Sequence, residues 1–185
     1  MPIQRAKPRL VDLDQTPLTS VTSSNLPAGT VLQCLQDNLT STFQTNSATF
    51  QDTGLTINIT PSSTSNKILV SAVIYGYPGH YVCKSRIMRD STEIGLADAD
   101  GNRPINALQF SLPPSTDGAI TLATAEILDA PSTTSQITYK VQSAARADAD
   151  GGSHLTYINK SESDRNTNSY DPRTASYITV MEIKG

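Results

Sequence analysis

Two five-residue segments repeat fifty positions apart: Ala97-Asp98-Ala99-Asp100-Gly101 and Ala147-Asp148-Ala149-Asp150-Gly151. Paired carboxylates ahead of a glycine are the donors a hard cation such as Ca²⁺ takes, so Asp98, Asp100, Asp148 and Asp150 are the candidates for a metal site. Taking Asp98 as the third position of an EF-hand-type loop puts Ala107 where a bidentate glutamate is needed. Asp and Gly are also the residues of tight turns, and turn chemistry is the preferred reading, with no metal or other cofactor expected. The two histidines, His80 and His154, each fall where a loop is expected to enter a strand. No G-x-S-x-G elbow, H-E-x-x-H helix, phosphate loop or dinucleotide fingerprint occurs, and no enzyme is expected.

A third feature is binding chemistry. The stretch from Lys160 to Arg173 is wholly polar apart from Tyr170 and Pro172, and long loops on a rigid scaffold are where contact surfaces are built. Tyr170 is its expected aromatic anchor, with Arg165 and Arg173 as cationic contacts for a partner or a glycan. A solvated loop or subunit contact is the plainer alternative. Asn38-Leu-Thr40, Asn58-Ile-Thr60 and Asn159-Lys-Ser161 match glycosylation sequons, which a Thr- and Asn-rich chain generates by chance.

The elements that must position these residues are strands. Ser and Thr make 44 of the 185 residues, while charged residues are 17%, below the roughly 25% usual for soluble domains. Good helix formers are scarce and β-branched residues plentiful, which favours sheet. Leu55, Ile57 and Ile59 alternate with Thr56, Asn58 and Thr60, predicting a strand with one wet face. Lys67 to Tyr75 lacks alternation and is expected to be buried on both faces, as a central strand of the sandwich or a strand at a subunit interface. Further strands are expected at 30–35, 49–52, 107–112, 120–127, 136–142, 154–159 and 176–183. Residues 81–89 and 93–96 should form a hairpin. Nine or ten strands with frequent turn signals predict an all-β, antiparallel β-sandwich, jelly-roll-like, over residues 28–185. Residues 1–27, with Pro2, Pro8, Pro17 and Pro27, read as an extended N-terminal arm whose basic trio Arg5, Lys7 and Arg9 suits docking on an acidic surface.

Fourteen Lys and Arg against seventeen Asp and Glu give a net charge of −3, so no nucleic-acid partner is expected. The longest apolar run, Ile68 to Tyr75, is far short of the roughly 20 residues of a membrane-spanning helix, and no membrane partner is expected. The segment after Met1 has no apolar core of a secretory signal. Cys34 and Cys83 both sit in apolar strand-like stretches and are expected to be buried free thiols, with a disulfide left open.

The ordered series Leu26-Pro-Ala-Gly-Thr-Val-Leu-Gln33, Phe50-Gln-Asp-Thr-Gly-Leu55, Ile57-Asn-Ile-Thr-Pro61, Ser65-Asn-Lys-Ile-Leu-Val70 and Arg89-Asp-Ser-Thr-Glu-Ile94 resembles a family of small virion proteins of tailed bacteriophages, common in aquatic and cyanobacterial phages. Tyr139-Lys-Val-Gln142, Tyr157-Ile-Asn159, Pro172-Arg-Thr-Ala-Ser176 and Ile178-Thr-Val-Met-Glu-Ile183 continue the likeness through the second half, to about residue 184. The resemblance implies a jelly-roll-like sandwich, a homotrimer, without enzymatic activity, assembled in the host cytoplasm and exposed on the particle. It leaves the place on the particle open; a stand-alone sandwich with an N-terminal arm and no heptad shaft is shaped more like a capsid decoration or cement protein, with the major capsid protein as partner, and the alternative is a tail-fibre or tail-tip protein recognising host surface glycans. Outside the resemblance, a free carbohydrate-binding module or enzyme is the least expected reading.

Overall fold

The computed structural model describes residue 22 and residues 25–79, 82–103, 105–111, 118–146, 154–167 and 170–185. Eleven strands run in the order β1 (Val31–Leu39), β2 (Phe43–Thr45), β3 (Gln51–Ile59), β4 (Lys67–Pro78), β5 (Val82–Arg89), β6 (Thr92–Ile94), β7 (Leu108–Ser111), β8 (Thr121–Asp129), β9 (Ile137–Ala144), β10 (Thr156–Ile158) and β11 (Ser176–Ile183). They form two antiparallel sheets packed face to face. In the first, β4 lies at the centre, with β8 along one side and β11, then β1, along the other; β10 and β2 continue from the far end of β4. In the second, β3, β9 and β5 lie in order, and β6 and β7 share the far side of β5. The protein is an all-β, antiparallel β-sandwich.

The core is the interdigitation of inward residues from both sheets. Leu55, Ile57 and Ile59 of β3 and Ile137, Tyr139 and Val141 of β9 are all buried, as their period-two spacing predicts. They meet Ile68, Val70, Ala72 and Ile74 of β4, with Ile178 and Val180 of β11 beside them. Burying each large aliphatic side chain contributes about 1.5–3 kcal/mol, so this layer dominates stability. Across the core Asp129 of β8 accepts two bonds from Arg89 of β5, at 2.8 and 2.9 Å, and one from the Tyr139 hydroxyl at 2.7 Å. This links one sheet to the other at a point where burial, then the Asp129 hydrogen bond, raises the Tyr139 phenol far above its ordinary value.

Four expectations are corrected. The two strands expected at 49–52 and 55–60 are one, β3 (Gln51–Ile59), with a bulge between Asp52 and Thr56 in which Gly54 adopts φ 91°. The glycine supplies a conformation that L side chains disfavour, and the extra residues bend the strand without ending it. Phe43–Thr45 forms a short strand that its length hid in the sequence. β4 is central but not buried on both faces: Leu69, Ser71, Val73 and Tyr75 remain partly exposed, because the second sheet covers only the side bearing Ile68, Val70, Ala72 and Ile74. Cys34 is exposed rather than buried, since it stands on the outer side of β1 opposite Met181. Cys83 is buried, both thiols are free, and burial pushes the Cys83 thiol up to about 11.

Candidate functional site

The polar loop that follows β10 is anchored at its root. Asn159 takes the left-handed conformation, φ 60°, which asparagine tolerates better than most residues. Its side-chain amide is fully buried and donates to the carbonyls of Leu39 and Ser41 at 2.6 and 3.0 Å, while its Oδ1 accepts from Ser176 Oγ at 2.7 Å. Its backbone N–H donates to the Tyr75 carbonyl at 2.9 Å. One residue thus ties the loop to β1, β4 and β11, and a sequon asparagine held this way is closed to glycosylation in the folded chain.

Inside the loop the organiser is Asp171, also left-handed at φ 63°. Its Oδ1 accepts from Ser161 Oγ at 2.5 Å, and its Oδ2 accepts from the backbone N–H and Nε of Arg165 at 3.1 and 2.6 Å. The Arg165 guanidinium, then Ser161, hold this carboxyl below the usual aspartate range. The same guanidinium lies 5.2 Å from the centre of the Tyr170 ring. Arg173 pairs with Asp164 at 2.7 Å, and Lys160 approaches Asp164 at 3.5 Å. The turn at Gly118 closes over this network; a Cβ there would stand 3.3 Å from Asp171 Oδ1.

The result is a cleft of about 550 Å³ lined by Asp164, Arg165, Thr167, Tyr170, Asp171 and Arg173. Tyr170 is 63% exposed at its side. The three predicted contacts, Tyr170, Arg165 and Arg173, are therefore brought to one place. Arg165 and Arg173 of the cleft lining stand against Asp164 and Asp171, so the cleft carries no excess positive charge to select an anion. Its chemistry is a rigid array of paired planar groups beside an aromatic face.

Those of the remaining predicted residues that are described do not join it. Asp98 is exposed, and Asp100 pairs with Arg103 within a turn closed by the Arg103 N–H on the Asp100 carbonyl, with Gly101 at φ 59°. This is the geometry that turn chemistry requires of an Asp-Gly pair. Among the described residues no three His, Cys, Asp or Glu side chains cluster as a metal would need. His154 lies two residues ahead of β10. Asp148, Asp150 and His80, and the arm residues Arg5, Lys7 and Arg9, lie outside the described residues.

The two outer faces of the sandwich differ in kind. On the second sheet Asp52 takes Lys140 at 3.0 Å and Gln142 at 2.5 Å, Arg86 donates to Gln142 at 2.7 Å and pairs with Glu93, and its guanidinium covers Phe50 at 4.2 Å. Gln142, then Lys140, hold Asp52 below its ordinary value. On the first sheet the row of Gln36, Thr179, Ser71 and Glu126 is polar and that of Asn38, Tyr177, Val73 and Thr124 is mixed, while the two rows that flank them on β8 are apolar. Cys34, Met181, Leu69 and Leu128 form one row from β1 to β8, and Tyr75 and Leu122 form another. Leu122 and Leu128 are 52% and 53% exposed.

No protein-family model and no curated protein matches this sequence. The anchoring roles of Asn159 and Asp171 and the exposure of Leu122 and Leu128 were not read from the sequence, where Asn159 figured only as a sequon residue. The leucines carried a signal: within Thr121–Asp129, apolar residues fall on both parities, which a strand with one wet face would not show.

Proposed function

We propose that this chain is a non-enzymatic structural protein of a bacteriophage particle, mounted on the capsid surface as a decoration or cement protein. The observation that carries this reading is the contrast between the two outer faces, one tiled with ion pairs and the other presenting Leu122, Leu128, Val31 and Tyr177 uncovered. Large apolar side chains left uncovered on one face suit a protein contact. A broad sheet face suits lying against another protein more than turning over a substrate, for which a concave site is usual. In this reading Arg5, Lys7 and Arg9 supply a second attachment along acidic coat surface, and the two weak contacts reinforce each other through effective concentration.

The test is to locate the protein on purified particles that carry it, by cryo-electron microscopy with quantitative mass spectrometry. Hundreds of copies over the head, lost when residues 1–25 are deleted, is the expected result. Absence from particles, or full retention after the deletion, overturns it.

One observation favours a second reading, recognition of host surface glycans from the tail. Tyr170 offers an exposed ring beside a net-neutral cleft, and the C–H face of a pyranose stacks on such a ring while its hydroxyls pair with planar polar groups. A few tail-bound copies, with glycan-array binding abolished by Tyr170→Ala, would move the assignment there.

A further inference from the structure

The first sheet ends on β8, which pairs on one side only. It runs beside β4 from Ile68↔Asp129 to Gly76↔Thr121 without a register break. Among the described residues no backbone hydrogen bond reaches its other side. The other two long edge strands are interrupted: β1 shifts register between Val31 and Gln33, and β3 between Asp52 and Thr56. Bulges, prolines and edge lysines are the devices that keep an edge from pairing with another chain. β8 has no bulge, proline or lysine; of its two charged residues Glu126 faces outward, and Asp129 is neutralised inside the sandwich by Arg89 and bonded to Tyr139.

The residue order of β8 is self-complementary about Ala125. If two β8 strands pair antiparallel about that residue, Leu122 stands opposite Leu128 of the second copy, Ala123 opposite Ile127, Thr124 opposite Glu126 and Thr121 opposite Asp129. Inward residues stay inward and outward residues outward, as a sheet requires. Neighbouring centres fail: pairing about Thr124 sets Leu122 against Glu126, and pairing about Glu126 sets two carboxylates face to face. Across the β4 ladder Tyr75 flanks Leu122 and Leu69 flanks Leu128, so the pairing would extend one outer apolar strip, Tyr75, Leu122, Leu128 and Leu69, across the junction.

We propose that β8 is a self-association edge through which two copies of this chain join β8 to β8 antiparallel about Ala125, making one continuous sheet across both sandwiches. The junction is two-fold and closes at two copies, unlike the trimer implied by the resemblance. It concerns the isolated chain and stands apart from the assignment to a particle.

The test uses the full chain carrying Cys34→Ser, which removes the exposed native thiol. Analytical ultracentrifugation should give a dimer. Oxidising a mixture of the Leu122→Cys and Leu128→Cys variants should crosslink the two, because directly opposed residues lie within disulfide reach. Neither variant alone should crosslink, since six residues of register place like positions about 20 Å apart. Leu122→Lys with Leu128→Lys should be monomeric and folded by circular dichroism, and mixing it with Leu122→Glu, Leu128→Glu should restore the dimer. A monomeric parent at about 1 mM, weaker than most specific protein pairs, overturns the proposal. So does a trimer, equal crosslinking of each cysteine variant alone, or a dimer indifferent to the lysines.

Discussion

Replacing Glu182 with glutamine should destabilise the protein at neutral pH and flatten its response to acid. Glu182 lies on β11 and is 1% exposed. Its Oε1 accepts from the Ser62 backbone N–H at 2.6 Å, Ser62 Oγ at 2.8 Å and Asn66 Nδ2 at 2.6 Å, and its Oε2 accepts from Gln33 Nε2 at 2.7 Å. Burial pushes the carboxyl up, but Asn66, Gln33 and Ser62 together outweigh it and hold the group below its ordinary value of 4.5. The carboxylate therefore ties β11 to β1 and to the connection between β3 and β4. Glutamine keeps one acceptor oxygen for the Ser62 and Asn66 donors but turns an NH₂ toward Gln33. Hydrogen bonds to a charged group contribute about 1.5–3 kcal/mol against about 0.5–1.5 for neutral pairs, so E182Q should cost about 2–3 kcal/mol. Glu182→Leu, which removes all four bonds and leaves Gln33 and Asn66 only their bonds to the Thr60 carbonyl and Ser62 Oγ, should cost about 3–5 kcal/mol. A group whose folded pKa is depressed contributes stability that is complete above the unfolded value and is lost as pH falls through the folded one. The gap between parent and E182Q should thus be widest at pH 6–7 and shrink below about pH 4.5. Urea unfolding followed by circular dichroism at pH 7 and pH 3 measures it, with a midpoint shift of about 1 M at pH 7 for an ordinary m-value. A shift under about 0.5 kcal/mol, within the usual range for an inert surface change, or a gap that stays constant between the two pH values, would refute the reasoning.

Thiol labelling should separate the two cysteines. A maleimide at pH 8 should modify Cys34 in the native chain, and Cys83 only after denaturation, because Cys83 is both buried and raised to about 11; two equivalents under native conditions would contradict this. Asn159→Ala should cost about 3–4 kcal/mol, since three side-chain hydrogen bonds are lost and alanine must hold φ 60°. Asn159→Gly, which relieves only the backbone part, should recover about 1 kcal/mol of that in the same denaturation assay. Asp171→Asn should loosen the cleft, read as faster amide exchange at Arg165 and faster proteolysis between 160 and 173, while the sandwich remains folded.

What could be read locally came through in the sequence. The alternation at Leu55, Ile57 and Ile59 and at Ile137, Tyr139 and Val141 predicts buried faces because side chains of a strand change sides at each residue, a rule that needs no knowledge of neighbours. The hairpin β5–β6 was legible for the same reason, its turn residues lying between its two strands. The bulge in β3 was misread as a break because Thr53-Gly54 carries the same signal whether a strand ends or bends.

Elsewhere the deciding contacts are remote. Asn159 is fixed by Leu39 and Ser41, more than a hundred residues earlier, and Glu182 by Ser62, Asn66 and Gln33. In the loop the sequence offered Tyr170, Arg165 and Arg173 by type, but it took the fold to bring Ser161 and Arg165 onto Asp171 and so place the ring and guanidinium together. Composition and period by themselves determined that this chain makes antiparallel sheets and which face of the alternating strands β3 and β9 is buried. Only the tertiary structure decided which sheet face stays uncovered and which strand is left at an unbroken edge, because exposure belongs to the packing of one sheet on another and to the order of strands within it, and neither is a property of any segment alone.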